Sequence, residues 1–196
     1  MSQTKYIPMR QSSFLLLFVV LVGMACKHEY TPKPPGYFRI DFPKKEYRTL
    51  VSDCPFTFDY PIYCAIEKDT YPGAMPCWLN IEFPTYKATI HLSYKELHDD
   101  LRKMTEDSRT LAMKHAVKAE EIDENPFITP FKCYGLLYDI KGNAASPIQF
   151  YLTDSSKHFL RASLYFNVPP KADSLKPVLV FIQQDITRML DSFHWK

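Results

Sequence analysis

Alternating apolar and polar positions predict three consecutive strands in the second half of the chain. The segment from Lys132 to Asn167 holds three runs rich in Leu, Ile, Tyr and Phe, separated at residues 141–143 and 154–157. The separating residues are Lys, Gly, Asn, Asp and Ser, a composition typical of turns between antiparallel strands. The third run alternates between two sets of side chains: Leu160, Ala162, Leu164 and Phe166, and Phe159, Arg161, Ser163 and Tyr165. Because both sets contain aromatic residues, we expect helices to cover both faces of the sheet.

Further strands and two amphipathic helices are predicted around these three strands. Alternation predicts strands at 56–60, 78–83 and 90–94, of which the last two form a hairpin. Apolar residues three or four positions apart predict a helix from Leu97 to Glu121, and Asn125-Pro126 ends that region. A final helix starts near Asp173 or Ser174, with Pro177 in its first turn. Its apolar face comprises Val178, Phe181, Ile182, Ile186, Met189, Leu190 and Phe193.

The order of these elements is strands, helix, three strands and helix, which favours an α+β fold. We expect an antiparallel β-sheet flanked by helices on both faces, an αβα sandwich. The pattern resembles the PsbP/Mog1-type sandwich, in which a strand meander precedes a C-terminal helix. A chain of 196 residues is long enough to bury one core, and we assign residues 37–196 to a single domain.

The N-terminal residues predict a lipoprotein signal peptide over residues 1–25. Lys5 and Arg10 precede an apolar run at 14–22 that is too short for a membrane span of about 20 residues. The following Gly23-Met24-Ala25-Cys26 resembles a bacterial lipobox, with Gly23 where Leu is commoner. Cys26 is then the first mature residue and carries several acyl chains such as palmitate, which together give stable anchoring. The proline-rich residues 26–36 form a tether.

Four cysteines remain after Cys26: Cys54, Cys64, Cys77 and Cys133. They allow three pairings, and four buried free thiols are an equal alternative. We favour Cys54 with Cys77, because each lies beside a proline at the edge of a strand-like run. A disulfide there adds about 3 kcal/mol in the chain-entropy model.

Composition and spacing argue against several classes of function. The mature chain has 24 − 2 = 22 basic and 22 acidic residues, without the basic excess of a nucleic-acid-binding protein. His91, His115 and His158 lack the spacing of a metal site, and we expect no metal and no cofactor. There is no nucleophile elbow around Ser146 and no glycine-rich phosphate loop.

The densest polar cluster runs from Thr153 to His158 and is followed by Arg161. We interpret it first as a turn, in which Asp and Ser side chains bond their own backbone. As an alternative, Asp154, His158 and Arg161 lie together at one sheet edge and recognise a charged partner. The same three residues then define a second hypothesis, a periplasmic enzyme that binds a small ligand or a metal.

Six sequence blocks together resemble the gliding-motility lipoprotein D family (GldD) of Bacteroidota. They are YTPKPPGYFRIDFP (30–43), CPFTFDYP (54–61), PCWLNIEFP (76–84), IHLSYK (90–95), TEDSRTLAMKHAVKA (105–119) and KGNAASPIQFYLTDSSKHFLRASLYF (141–166). The resemblance implies a non-catalytic, membrane-anchored envelope lipoprotein associated with gliding motility and type IX secretion. Its implied partners are other envelope proteins of these systems, and only Cys26 receives a defined role. Lys27-His28-Glu29 matches poorly the acidic surface-export signal of these bacteria, so we expect the periplasmic face of the outer membrane.

Overall fold

A computed structural model describes residues 39–196. The predicted signal peptide, the lipidated Cys26 and the tether at 26–36 lie outside the described residues. Residues 39–196 contain two α-helices, α1 (Leu101–Met113) and α2 (Ala172–Ser192), and a short 3₁₀ turn at Pro84–Tyr86. The strands are β1 (Tyr47–Thr49), β2 (Phe56–Thr57), β3 (Asp59–Pro61), β4 (Ala65–Lys68), β5 (Leu79–Phe83), β6 (Ala88–Glu96), β7 (Ala119–Ile128), β8 (Tyr134–Gly142), β9 (Ile148–Thr153), β10 (His158–Phe166) and β11 (His194–Trp195).

The described part of the chain folds as an antiparallel β-sheet with two helices. Seven strands form the main sheet in the order β4-β5-β6-β10-β9-β8-β7, and every neighbouring pair is antiparallel. The three strands predicted between residues 132 and 167 are therefore present as β8, β9 and β10. The predicted hairpin is present as β5 and β6, joined through the 3₁₀ turn.

The larger core lies between the sheet and α2. Leu160, Ala162 and Leu164 of β10 are buried there. From α2 the buried apolar side chains are Val178, Phe181, Ile182, Ile186 and Met189. Each such side chain contributes about 1.5–3 kcal/mol by leaving water, so α2 is held mainly by its apolar face.

The predicted start of α2 is wrong by about two residues. Lys171 is the N-cap residue and makes no side-chain capping bond, whereas Asp173 and Ser174 lie within the helix. The first N–H, of Ala172, donates instead to Asn143 Oδ1 at 2.9 Å. A side chain from a distant loop therefore caps the helix in place of a local residue. Pro177 lies in the second turn of α2, not in the first.

The helix predicted from Leu97 to Glu121 is also too long. It ends at Met113, and Glu121 and Asn125-Pro126 belong to β7, which pairs with β8. Tertiary pairing therefore overrides the helical period in this segment. Pro126 is compatible with a strand here, because β7 forms the edge of the sheet and needs donors on one side only.

The single strand predicted at 56–60 is divided into two. Phe56–Thr57 pairs with His194–Trp195, and Asp59–Pro61 pairs with β1. Because residues 56–57 pair with β11 and residues 59–61 with β1, the C-terminal strand lies beside the N-terminal part of the domain. The rings of Phe56, Phe58, Phe193 and Trp195 pack together there, with centroids 4.8–6.3 Å apart.

Candidate functional site

The structure does not bring the side chains of Asp154, His158 and Arg161 together into one site. His158 and Arg161 are three positions apart on β10, and side chains an odd number apart point to opposite faces. His158 bonds Tyr94 on the α2 side of the sheet, whereas Arg161 lies beside α1. The expectation that these residues act at one sheet edge is therefore wrong, because strand alternation separates them.

Asp154 closes the turn between β9 and β10. Its Oδ1 atom accepts backbone hydrogen bonds from Ser156, Lys157 and His158 at 3.0, 2.8 and 2.9 Å. Burial alone raises the pKa of this carboxyl, but the three backbone donors outweigh burial and hold its pKa below the usual value. The interpretation of the cluster as a turn accounts for these bonds.

Replacing Asp154 by alanine is expected to destabilise the fold by about 1–3 kcal/mol, because three backbone donors lose a charged acceptor. Since the folded pKa is lowered, this stability is present above the unfolded pKa of about 3.9 and is lost as pH falls through the folded pKa. Urea unfolding of wild type and Asp154→Ala measures this effect between about pH 6 and pH 2, around those pKa values. The wild-type advantage should shrink on acidification, and an advantage that is constant across this range contradicts the assignment.

His158 is part of an aromatic cluster on the face of the sheet opposite to Arg161. Its ring Nδ1 lies 2.8 Å from the Tyr94 hydroxyl, and the ring stacks on Trp195 with centroids 5.0 Å apart. Tyr94 and Trp195 also lie within aromatic distance of each other, at 6.3 Å. The imidazole thus has structural partners that account for its position.

Cys54 and Cys77, the pair favoured from the sequence, are joined by a disulfide, with Cα atoms 5.5 Å apart. Cys64 and Cys133 are free and buried. Burial raises the pKa of both thiols, which keeps them in the protonated, weakly nucleophilic form. Neither free cysteine has the environment of a catalytic nucleophile.

A buried ionic network connects the N-terminal segment to α2. Asp185 is 2% exposed, and its Oδ1 lies 2.7 Å from Lys45 Nζ. The hydroxyls of Tyr47 and Tyr63 donate to its two carboxylate oxygens at 3.0 and 2.8 Å. Lys45 Nζ also donates to the Phe181 carbonyl at 2.7 Å and to the Tyr63 hydroxyl at 3.0 Å.

The protonation of this network follows from its burial. Burial lowers the pKa of Lys45, and its bond to Asp185 opposes that change. Burial and then the bond to Asp185 raise the pKa of Tyr47 to about 12 and also raise that of Tyr63. The tyrosines therefore remain protonated donors. Sequence reasoning missed this network, although Asp185 stands beside Ile186 on the apolar stripe of the predicted helix, where an acid requires a buried partner.

A cleft lies between α1 and the sheet. Its volume is about 430 Å³. Apolar parts of the lining come from Trp78, Met104, Leu111 and Phe159. Its charged lining consists of three cations and one carboxylate: Lys95, Lys114, Arg161 and Asp107. From α1, the buried side chain of Ser108 also lines the cleft.

Arg161 lines this cleft, is partly buried and lies beside buried polar groups. Its guanidinium donates to Gln149 Oε1. Burial lowers the pKa of Arg161, because desolvation disfavours a charge. Within residues 39–196, the side chains of Tyr138, Gln149 and Ser163 each have a buried polar atom without a hydrogen-bond partner. They stand opposite one another in register on β8, β9 and β10 and therefore share the face that carries Arg161.

Two further features of residues 39–196 bear on function. This part of the chain contains no group of three or more His, Cys, Asp or Glu side chains arranged to hold a metal ion. Neither of its helices combines the length and apolar character needed to cross a membrane.

Comparison with solved structures finds a partial likeness to cyanobacterial PsbP from Synechocystis. That likeness has a TM-score of 0.49 and 13% sequence identity, and it covers 79% of this chain and 95% of the cyanobacterial one. None of the curated proteins matches the chain. The profile of the family described as gliding motility lipoprotein GldD matches residues 27–195. Since this match spans most of the sequence, the chain belongs to the gliding motility lipoprotein GldD family.

Proposed function

We propose that this gliding-motility lipoprotein is a non-catalytic component of the cell envelope that acts together with the type IX secretion apparatus. The observation that carries the proposal is the family match, which begins at residue 27, directly after the lipobox cysteine. Cys26 anchors the protein through its acyl chains, residues 26–36 space the domain from the bilayer, and the domain presents a surface to other envelope subunits.

The side-chain geometry supports this role over the alternative of an enzyme built on Asp154, His158 and Arg161. Acid–base catalysis requires groups that converge on one substrate. Asp154 is occupied by three backbone donors and His158 by Tyr94 and Trp195, while Arg161 lies on the opposite face. These contacts favour structural roles for the first two residues.

We infer that the two helices cover opposite faces of the main sheet. Support comes from β10, where Leu160 packs in the core that contains α2, while its neighbours Phe159 and Arg161 line the cleft that contains α1. Consecutive side chains of a strand point to opposite faces. An αβα arrangement leaves the edges of the sheet and the outer helix faces as surfaces for subunit contacts.

We further propose that the anchor lies in the outer membrane with the domain on the periplasmic side. Lys27, His28 and Glu29 follow the anchor, and only Glu29 is acidic. This composition is a poor match to an acidic surface-export signal. Protease treatment of intact cells tests the orientation: a tagged domain that is degraded before the outer membrane is opened contradicts a periplasmic position.

The test of the function is in-cell crosslinking of a C-terminally tagged chain, followed by purification from solubilised envelopes and mass spectrometry. Motility or secretion subunits should be recovered with the wild type. Cys26→Ala should release or mislocalise the protein, lose these partners and abolish function. His28→Ala, a substitution just outside the lipobox, is the matched control and should behave as wild type. A soluble Cys26→Ala protein with full activity overturns the proposal.

A direct comparison separates the scaffold role from the enzyme hypothesis. The triple variant Asp154→Ala, His158→Ala, Arg161→Ala removes every group that the enzyme would use. If the variant remains folded, normal secretion and motility exclude that enzyme. Loss of function with normal folding and unchanged partner recovery, if Arg161→Ala alone does not reproduce it, contradicts the non-catalytic role instead.

A further inference from the structure

The cleft beneath α1 carries an excess of positive charge that the described residues do not neutralise. Arg161, Lys95 and Lys114 line it, against the single carboxylate of Asp107. The ion pairs formed within residues 39–196 include none of these three cations. The Arg161 side chain is partly withdrawn from water, and a charge in such a position normally has an anionic partner because its desolvation is costly.

Gln149 fixes the orientation of this guanidinium. Its Oε1 atom accepts a hydrogen bond from Arg161 Nη2, and Gln149 itself is 1% exposed. The bond involves one of the donors of the guanidinium, which has five in a planar fork. The remaining donors leave Arg161 able to bind a second acceptor in the cleft.

The polar character of this region extends beneath the helix. Ser163 follows Arg161 by two positions on β10 and faces Gln149 across the strands, while Gln149 faces Tyr138. Each of the three has a polar atom that is buried without a hydrogen-bond partner among the described residues. Such groups are rare in a sheet that serves only as a packing surface. The face that carries Arg161 is therefore unusually polar beside the cleft.

We propose that the cleft is a binding site for a small organic carboxylate with an apolar body. The carboxylate binds the Arg161 fork, a geometry in which two parallel hydrogen bonds form. The apolar body lies among Trp78, Met104 and Phe159, which line the same cleft. A volume of about 430 Å³ lies in the ordinary range for small-molecule sites.

The composition of the lining selects this class of ligand over inorganic anions. Phosphate or sulfate would satisfy Arg161 but would leave the aromatic and aliphatic wall without a partner. A neutral apolar molecule would fill the wall and leave the guanidinium unpaired. A molecule with one carboxylate and one apolar group satisfies both. This assignment stands apart from the role in motility, so either can fail without the other.

Fluorescence titration tests the proposal with naphthaleneacetate as the probe and the lipidated full-length chain in detergent micelles. Empty micelles provide the background, and naphthaleneacetamide is the neutral control of the same shape. The acid should bind saturably and the amide at least tenfold more weakly, a difference of about 1.4 kcal/mol. Absence of saturable binding at millimolar naphthaleneacetate, or equal binding of acid and amide, overturns the proposal.

Variants locate the binding. Arg161→Gln should weaken binding of the acid at least tenfold, and Arg161→Lys should weaken it less, because the charge remains while the fork is lost. Arg102→Gln removes an arginine from the exposed surface of α1 and should leave the affinity unchanged. Ser93→Leu keeps Arg161 but fills part of the cleft, so it should also block binding of the probe. It provides the test of the site in case Arg161→Gln does not fold. Full affinity in a folded Arg161→Gln or Ser93→Leu protein overturns the assignment, as does displacement of the probe by an equal concentration of inorganic phosphate.

Discussion

Replacing Asp185 by alanine is expected to lower the free energy of unfolding by about 3–5 kcal/mol, the range measured when one partner of a buried ion pair is removed. The substitution leaves the ammonium of Lys45, whose side chain is 22% exposed, without its counter-ion. It also removes the acceptor of the Tyr47 and Tyr63 hydroxyls. The free energy of unfolding of a domain is typically only about 5–15 kcal/mol. This variant should therefore be close to unfolding at growth temperature.

Chemical denaturation monitored by circular dichroism measures this effect. Asp191→Ala is the matched control, since Asp191 is exposed on the same helix and should change stability by less than about 0.5 kcal/mol. Lys45→Met combined with Asp185→Leu replaces the ion pair by apolar groups and should recover part of the loss. Equal effects of Asp185→Ala and Asp191→Ala would show that the network contributes nothing to stability.

Phe193→Ala should destabilise the domain by about 3–5 kcal/mol through the cavity that it leaves. Phe193 is fully buried at the end of α2, and its ring lies 4.8 Å from Trp195 and 5.9 Å from Phe56. Those two residues belong to the paired strands β2 and β11. Loss of the ring therefore weakens both the core and the attachment of the C-terminus.

Thermal and urea unfolding of Phe193→Ala check this expectation. Phe131→Ala, which truncates a ring that is 54% exposed, is the control and should cost less than about 1 kcal/mol. Phe193→Leu should recover a substantial part of the stability because it refills the space with apolar volume. If Phe193→Ala were as stable as Phe131→Ala, the aromatic cluster would not be part of the cooperative core.

The central strands were predictable because local chemistry and tertiary pairing agree there. The turn residues at 154–157 separate two alternating runs, and the Asp154 carboxylate closes that turn in the structure. The apolar stripe of α2 was predictable for the same reason, since Phe181, Ile182 and Ile186 lie on one side at helical spacing.

The segment from Lys114 to Ile128 was not predictable from its period. Helical spacing of apolar residues continues to Ala119, yet the chain turns after Met113 and pairs with β8. The partner strand lies further along the sequence, so its contribution to the local structure is not visible in the segment itself. From the sequence, Pro126 indicates the end of a regular element. A strand tolerates it here only because β7 is the edge strand of the sheet.

The candidate site shows the same division. Strand alternation alone separates His158 from Arg161, and this part of the geometry is readable from the sequence. The pairing of Lys45 with Asp185 joins positions 140 residues apart, from 185 − 45, and no local pattern reports a contact of that range. The cleft depends likewise on α1 lying over β6 and β10, which only the three-dimensional arrangement reveals.

The Lys45–Asp185 network also has a mechanical consequence for the anchoring proposed above. With a lipid anchor at Cys26, as proposed, a pull on the domain would load it from its N-terminal side. That load meets Lys45 and Tyr47, both bound to Asp185, before it reaches β4 at Ala65, the first strand of the main sheet in chain order. The load therefore passes into the long helix α2, and the hydrogen-bonded ladder of the main sheet is not the first structure to be peeled open.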